Sequence, residues 1–374
     1  MKFPGSDLQH QQYQQETTAA VVSRGRPARS RRAAGRPTAP AWLSLALPLA
    51  AVLAACAPEA LRPERSPPTE SPIPERGAGP AAVAADFAQP ARDPRAPLRW
   101  IVYGDMRFTA TSEREASHPG PRQALVARIA AEHPDALFLT GDVPWHGGNE
   151  QDYHEYEQET GPWRTERLRV FPVLGNHEFQ QCEEPVCLEH WWSAFPEQRG
   201  RRWYEIALDA RVHLMALDSD ASFSPGSEQA QWLQQRLDAL DDRARIVMVL
   251  LHHPPLTDAP EGARANETAL ATQLAAAAAA RGSLRFLVCA AHVHNYERFE
   301  RDGVVFLVSG GGGAKPTPLQ RSSQALFRGV EFPNFHYLRF ELDGRELRGE
   351  MVRLTDSDAS VPQTWAVQDR FAID

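Results

Sequence analysis

The sequence predicts an α/β (α+β) fold, and three observations carry that expectation. Five short apolar runs, Trp100–Tyr103, Ala136–Leu139, Val170–Leu174, Ile246–Leu251 and Leu284–Val288, have the length and composition of buried strands. Segments with helical spacing stand between several of them. The chain then closes on two alternating runs joined through Asp343-Gly344, the signature of a hairpin. Strands alternating with helices and followed by a hairpin fit a layered sheet-and-helix domain.

Residues 1–55 stand outside that fold. Six arginines, Arg24, Arg26, Arg29, Arg31, Arg32 and Arg36, lead into the apolar run Ala41–Ala55. The run is short for a bilayer span and ends in small residues, as a secretory signal does. Its end, Leu53-Ala54-Ala55-Cys56, resembles the lipobox of bacterial lipoproteins. That resemblance implies a lipid on Cys56, export, and residence in the bacterial cell envelope: the periplasm, at the outer membrane. The alternative is a short anchor helix with an incidental cysteine. Residues 56–97 are rich in proline and alanine without sustained periodicity, a composition that buries no core, and read as a disordered tether. Residues 98–374 suit one domain with no internal repeat.

The chain carries −8 at neutral pH, and residues 1–55 hold seven basic against two acidic side chains, which leaves −13 on the remainder. A polyanion meets net repulsion, and no basic stripe interleaved with aromatics is present, so nucleic acid is not an expected partner. Lysine occurs only at Lys2 and Lys315, so a phosphate clamp has to come from arginine, histidine or metal.

After the first strand, Gln123–Glu132 has the spacing of a covering helix, and the polar stretch Glu150–Thr160 reads as an exposed one. In an oxidising compartment Cys182 and Cys187 could close a small disulfide loop; free thiols or a soft-metal loop are the alternatives. Cys289, inside a buried strand, reads as a small core residue. Arg202–Ala207 and Arg211–Ala216 pair as strands around Asp209-Ala210. Ser227–Leu240 is an amphipathic helix, with Ser227 as its cap and Trp232 and Leu233 on its buried side. Glu267–Ala280 is helical by its alanine content. Val304–Val308 is a strand that runs into Gly310–Gly313. Those glycines lack the G-K-[ST] ending of a nucleotide loop and read as a tight turn near the site. Tyr337–Leu342 and Glu346–Val352 form the closing hairpin.

Each apolar run ends in residues able to ligate metal. In order these are Gly104-Asp105, Thr140-Gly141-Asp142, Gly175-Asn176-His177-Glu178, His252-His253-Pro254-Pro255 and His292-Val293-His294-Asn295-Tyr296-Glu297-Arg298. Residues two apart on an extended chain share a face, so His292 and His294 point into one space. Ligands at successive strand ends gather along one edge of a sheet, where open α/β sheets place their sites.

The five motifs, from about Leu98 to Gly313, resemble those of the calcineurin-like metallophosphoesterases, and the last is most similar to the purple acid phosphatase branch. The resemblance implies two packed mixed β-sheets flanked by helices. It further implies two divalent or trivalent ions (Fe, Zn or Mn) and a metal-bound hydroxide that attacks phosphorus in line. Asp142 would bridge the ions, Asp105 and His294 would hold the first, and Asn176, His252 and His292 the second. His177 would meet a phosphate oxygen as acid or charge stabiliser, with His253 a further catalytic candidate. Tyr296 and Arg298 would brace the histidine loop.

Two positions depart from the family's pattern. Arg107 stands where the family has histidine, or glycine in the purple branch, and Trp145 stands where that branch has a tyrosine ligand. Without the tyrosine, no purple colour is expected. His146 is either a replacement ligand or an exposed loop histidine. Arg107 cannot ligate metal; it either forks onto substrate phosphate, the reading favoured here, or turns away into an ion pair. The expected function is a phosphatase acting on a small phosphorylated substrate, with a phosphodiesterase or a non-catalytic lipoprotein binding module as competing readings. No G-x-S-x-G elbow suggests a serine hydrolase.

Overall fold

The computed structural model describes residues 84–90, 96–356 and 362–373. The signal segment, Cys56 and most of the tether lie outside the described residues. Among the described residues, no helix is long and apolar enough to cross a membrane.

The apolar runs become the central strands of two mixed sheets. In the first, β2 (Leu98–Tyr103), β3 (Ala136–Leu139) and β4 (Val170–Pro172) run parallel. Parallel neighbours need long crossovers, and these carry α1 (Pro119–Ala131), α2 (Glu150–Glu159) and the short α3 (Gly161–Thr165). The chain's last strands, β11 (His336–Asp343), β12 (Glu346–Leu354) and β13 (Trp365–Ile373), extend the sheet antiparallel to the order β13-β12-β11-β2-β3-β4.

The second sheet has the order β1-β5-β6-β7-β8-β10-β9. Its strands are β1 (Phe87–Ala88), β5 (Tyr204–Ala207), β6 (Val212–Ala216), β7 (Ile246–Leu250), β8 (Arg285–Ala290), β9 (Tyr296–Arg301) and β10 (Val304–Ser309). Neighbours β6, β7, β8 and β10 are parallel, with α5 (Glu228–Ala239) and α6 (Ala265–Ala280) in two of the crossovers. Helix α4 (Glu184–Ala194) precedes β5.

Burial on both faces explains why these strands read as unbroken apolar runs rather than alternating ones. From β2, Trp100 and Val102 enter the layer between the sheets, beside Phe138, Phe340, Met248 and Leu287. Ile101 and Tyr103 enter the opposite layer, with Ile129 of α1, Trp163 of α3 and Trp191 of α4. Across the second sheet, Val247, Val249 and Val288 meet Leu233 and Leu237 of α5 and Leu270 and Leu274 of α6.

Local expectations hold in most places. Ser227 caps α5 through its Oγ, 3.4 Å from the N–H of Ala230, and Leu233 is buried beneath the helix with Trp232 half-buried beside it. Cys182 and Cys187 form a disulfide, and Cys289 is buried as a free thiol. The Asp343-Gly344 hairpin forms, with Asp343 paired to Glu346.

Three details differ. Helix α1 begins at Pro119, because a proline at the first turn needs no N–H partner. Helix α2 is not fully exposed: Tyr156 packs edge-on against Phe108 and Trp163, and buried Asp152 accepts from Thr109 Oγ1 at 2.8 Å. Its polar sequence conceals the contacts with Phe108 and Thr109, which come from a loop distant in the chain. Residues 84–90 fall inside the segment read as tether, yet Phe87 pairs with Ile206 and its ring meets Phe171 and Tyr204 at 5.7 and 5.2 Å. One half-buried aromatic anchors that stretch, so the folded part begins before Leu98.

Candidate metal centre

The two sheets each contribute half of the site. Asp105, Asp142 and Asn176 follow β2, β3 and β4 of the first; His252 follows β7 of the second, and His292 and His294 follow β8. The backbone must turn sharply at these strand ends. Asp105 (φ 59), Asp142 (φ 53) and His292 (φ 69) all adopt the left-handed region, a strain of roughly 1–2 kcal/mol for each L-residue. Cross-links hold them there: Asp105 N–H donates to Gly141 O at 3.2 Å, and His292 N–H donates to Asp105 Oδ2 at 2.8 Å. Gly175 permits the close approach of the third loop, since a Cβ there would lie 2.6 Å from Asp142 Oδ1.

In one half of the site, Asn176 Oδ1 stands 3.1 Å from both His252 Nε2 and His292 Nδ1. Those nitrogens are 3.2 Å apart, and His252 Nε2 is 3.2 Å from Asp142 Oδ1. His252 Nδ1 lies 2.9 Å from the Thr140 carbonyl, which takes its proton and turns the Nε2 lone pair inward. In the other half, candidate ligand atoms of Asp105, Asp142 and His294 lie within 4.8 Å of one another. His294 Nδ1 is fixed by the Lys315 carbonyl at 2.7 Å, so its Nε2 also presents a lone pair.

Asp105 Oδ1 and His294 Nε2 are buried and without hydrogen-bond partners, 3.5 Å apart. Leaving such acceptors unsatisfied costs about 1–3 kcal/mol each, and a cation between them removes that cost. The donor set of carboxylate, amide oxygen and imidazole suits Zn, Mn or Fe. The residues therefore fit two metal ions.

Electrostatics favour an ionised Asp142 and a neutral His292, whereas Asp142 and Asp105 outweigh burial at His252 and raise its imidazole. Burial alone would raise the Asp142 carboxyl, but His177, His252, Arg107 and His292 around it outweigh burial and hold it well below the usual carboxylate range. Burial pushes His292 down to about 3, with His252 adding to the effect. A neutral imidazole is the ligating form.

His177 sits at the rim of the pair. Its N–H donates to Asp142 Oδ1 at 3.0 Å, its Nδ1 is 2.6 Å from the Trp145 carbonyl, and its Nε2 is 3.7 Å from Asp142 Oδ2. Burial pushes this imidazole down to about 4. His253 packs 4.2 Å from the His292 ring, and its Nδ1 is held 2.8 Å from Ser219 Oγ.

Arg107 takes up the second of the two arrangements considered for it, without turning away from the site. It forms an ion pair, but with the carboxylate at the middle of the site: Nη2 is 3.0 Å and Nε 3.3 Å from Asp142 Oδ2. Its guanidinium lies 5.1 Å from the ring centre of Trp145, which stacks in turn on His177 at 4.7 Å. The tryptophan thus acts as a wall, not a ligand. His146 turns toward Asp152, 3.9 Å away, outside both ligand groups. Tyr296 and Arg298 brace the sheets rather than the histidine loop, both bonding Asp369 Oδ2, at 2.8 and 2.7 Å, across to β13.

Sequence reasoning missed the part played by Glu178. Its fully buried carboxylate accepts from the N–H groups of Asp142 (3.1 Å), Val143 (2.9 Å) and Gly175 (2.7 Å), tying the second loop to the third. The only local signal was its place at the end of Gly175-Asn176-His177-Glu178. Asp369 carried none.

Two sheets converging on a paired set of oxygen and imidazole side chains at their strand ends define a candidate metal-binding α/β scaffold. The calcineurin-like phosphoesterase profile matches residues 101–296, and the chain belongs to that family. Among curated relatives it is 23% identical to "Probable purple acid phosphatase 20" of Arabidopsis thaliana over 58% of this chain. The chain spans about half the length of the curated relatives it matches, 52% in that case and 56% for "Purple acid phosphatase 22" of the same plant. The fold is also that of a purple acid phosphatase from yellow lupin (Lupinus luteus) seeds, at TM-score 0.57 and 18% identity, covering 74% of this chain and 53% of that one. GAP50, the anchor in the inner membrane complex of Plasmodium, shares it at TM-score 0.51 and 14% identity, covering 73% of this chain and 89% of that chain.

Proposed function

We propose that this chain is a metal-dependent phosphoric ester hydrolase acting on phosphomonoesters through a dinuclear centre. The observation that carries this reading is the convergence of six ligand side chains around buried acceptors that have no proton donor. The names of the Arabidopsis relatives support it. Bound there, two ions would activate water and neutralise charge on the transferring phosphoryl group.

The chain's own residues supply the rest. Asp142 remains a carboxylate between the two halves. With Nδ1 donating to the Trp145 carbonyl, His177 keeps Nε2 for a proton given to, or taken from, a phosphate or leaving-group oxygen. Arg107 adds a fixed positive charge beside Asp142, within reach of a phosphate that settles there. The purified chain, loaded with Mn, Zn or Fe, is expected to hydrolyse an aryl phosphomonoester faster than the matching diester and to lose both rates to a chelator. Faster diester cleavage makes it a phosphodiesterase, and activity insensitive to chelation overturns the reading.

Arg107→Ala separates two contributions. Removing a guanidinium 3.0 Å from Asp142 Oδ2 takes a competing cation off the bridging carboxylate, so metal affinity rises. The same change removes a phosphate contact, so KM rises and kcat/KM falls by roughly tenfold. Metal titration beside steady-state kinetics tests this, and unchanged values of both leave Arg107 a mere packing partner of Trp145.

The same proposal places the chain at the cell envelope through a lipid on Cys56, on the strength of Leu53-Ala54-Ala55-Cys56. Several acyl chains hold a protein at a membrane where one is marginal. Cys56→Ser is expected to release the chain from the membrane fraction. An uncleaved, membrane-bound Cys56→Ser chain would favour an anchor helix instead.

A further inference from the structure

A groove opens at the end of the second sheet opposite the metal centre. Its volume is about 710 Å³, and among the described residues five arginines wall it, Arg211, Arg243, Arg245, Arg285 and Arg345, with one carboxylate, Asp209, in the lining. Strand register explains the convergence. Arg245 N–H donates to Arg211 O at 2.9 Å, and Arg285 N–H donates to Arg245 O at 2.7 Å, so three arginines stand on adjoining strands at the start of β6, β7 and β8. Arg345 reaches the groove from the β11–β12 turn, where Arg211 bonds the Gly344 carbonyl. The metal ligand His252 lies past the far end of β7, so the groove is ~20 Å from the metal centre at about 3.3 Å per residue.

Of the five, Arg211 and Arg243 pair with carboxylates, and Arg285 donates to the Gly282 carbonyl at 3.1 Å. Arg211 forks onto Asp209 at 3.0 and 2.6 Å, and Arg243 onto Asp241 at 3.0 and 2.7 Å. Arg245 instead donates to the carbonyl oxygens of Asp242 and Ala244, at 2.6 and 2.8 Å. Buried Ile246, Leu342 and Ile373 line the floor. Like charges on neighbouring strands repel, a cost that a bound anion removes. This occurs in a chain whose net charge is −8, which would otherwise turn anions away.

We propose that this groove is a second anion site, which takes ligands carrying two or more closely spaced phosphate groups. One phosphate is held by one or two guanidinium forks, whereas a wall of five matches an extended set of phosphate oxygens. A soluble oligophosphate and a phosphorylated lipid headgroup both present that chemistry. The inference stands independently of the activity at the metal centre.

The test is calorimetric titration of the full chain with methylenediphosphonate, a non-hydrolysable pair of phosphonates, at low and high salt. One saturable site that weakens with salt is expected. The paired change Arg245→Glu and Arg345→Glu lowers its affinity by roughly tenfold or more, while Asn176→Ala at the metal centre leaves it in place. Should the reversed pair melt early, Arg245→Gln with Arg345→Gln carries the same comparison. Phosphatidylcholine vesicles containing a bisphosphorylated inositol lipid then separate the sources. Competition by the vesicles assigns the site to a lipid headgroup, and its absence assigns a soluble ligand. The proposal is overturned by the lack of saturable binding, by binding that Asn176→Ala abolishes and the arginine changes do not, or by equally tight binding of polyglutamate.

Discussion

On the proposed function, His292→Ala and Asn176→Ala are each expected to cost the chain metal at one position and hydrolysis almost entirely. Asn176 Oδ1 is the atom that both His252 Nε2 and His292 Nδ1 face at 3.1 Å. Deleting either partner leaves a ligand set of half-satisfied acceptors around a cation with three donors instead of four. Loss of a residue that merely orients a metal ligand costs about 10–100-fold in affinity or activity, and loss of the ligand itself costs more. A fall in kcat/KM on the order of a thousandfold follows, equal to about 4 kcal/mol of transition-state stabilisation. Elemental analysis should show the metal content dropping in step with the rate. A variant that keeps both its metal and its rate would show that the site is elsewhere. Neither change should unfold the chain, because both side chains point into the site rather than into either core layer.

Glu178→Ala is the change expected to cost most in stability. Its carboxylate is fully buried and accepts three backbone N–H groups, from Asp142, Val143 and Gly175. Alanine leaves all three donors buried without an acceptor, at about 1–3 kcal/mol apiece. Partial relaxation is expected, so a total loss of roughly 3–5 kcal/mol is the reasonable figure. The loops that carry Asp142 and Asn176 then lose their common tie, and metal binding falls although no ligand has changed. Glu178→Gln keeps one acceptor oxygen and should lie between the two. Urea midpoints at constant m-value measure this; a loss under about 1 kcal/mol in Glu178→Ala would mean that other groups satisfy the three donors.

Glu178 also marks the boundary of what the sequence conveys. The candidate ligands Asp105, Asp142, Asn176, His252, His292 and His294 were legible because each is a local event, a residue type able to bind metal at the end of a short apolar run. The length of the run sets the strand, and the strand's end sets the edge on which the side chain emerges. The two packed sheets were implied by the family resemblance; the runs themselves, apolar at every position, indicated only strands buried on both faces. By contrast, the partner of Arg107 was not legible. A guanidinium can reach in any direction, and only the approach of β2 to β3 puts Asp142 Oδ2 within 3.0 Å of it. The buried side of α2 was hidden because Phe108 and Thr109, which cover Tyr156 and Asp152, come from a loop some forty residues away.

The sequence by itself therefore determined the family and the central strands, and it put forward six candidate metal ligands. Each of these depends on residue type and spacing within a few positions of the chain. Tertiary structure decided what depends on long-range approach. It set Glu178 beneath two loops, Asp369 across two sheets, Phe87 into a fold it had seemed to precede in the chain, and five scattered arginines around one groove. Pairings between residues far apart in sequence leave no periodic trace, because the geometry that joins them exists only once the sheets have packed.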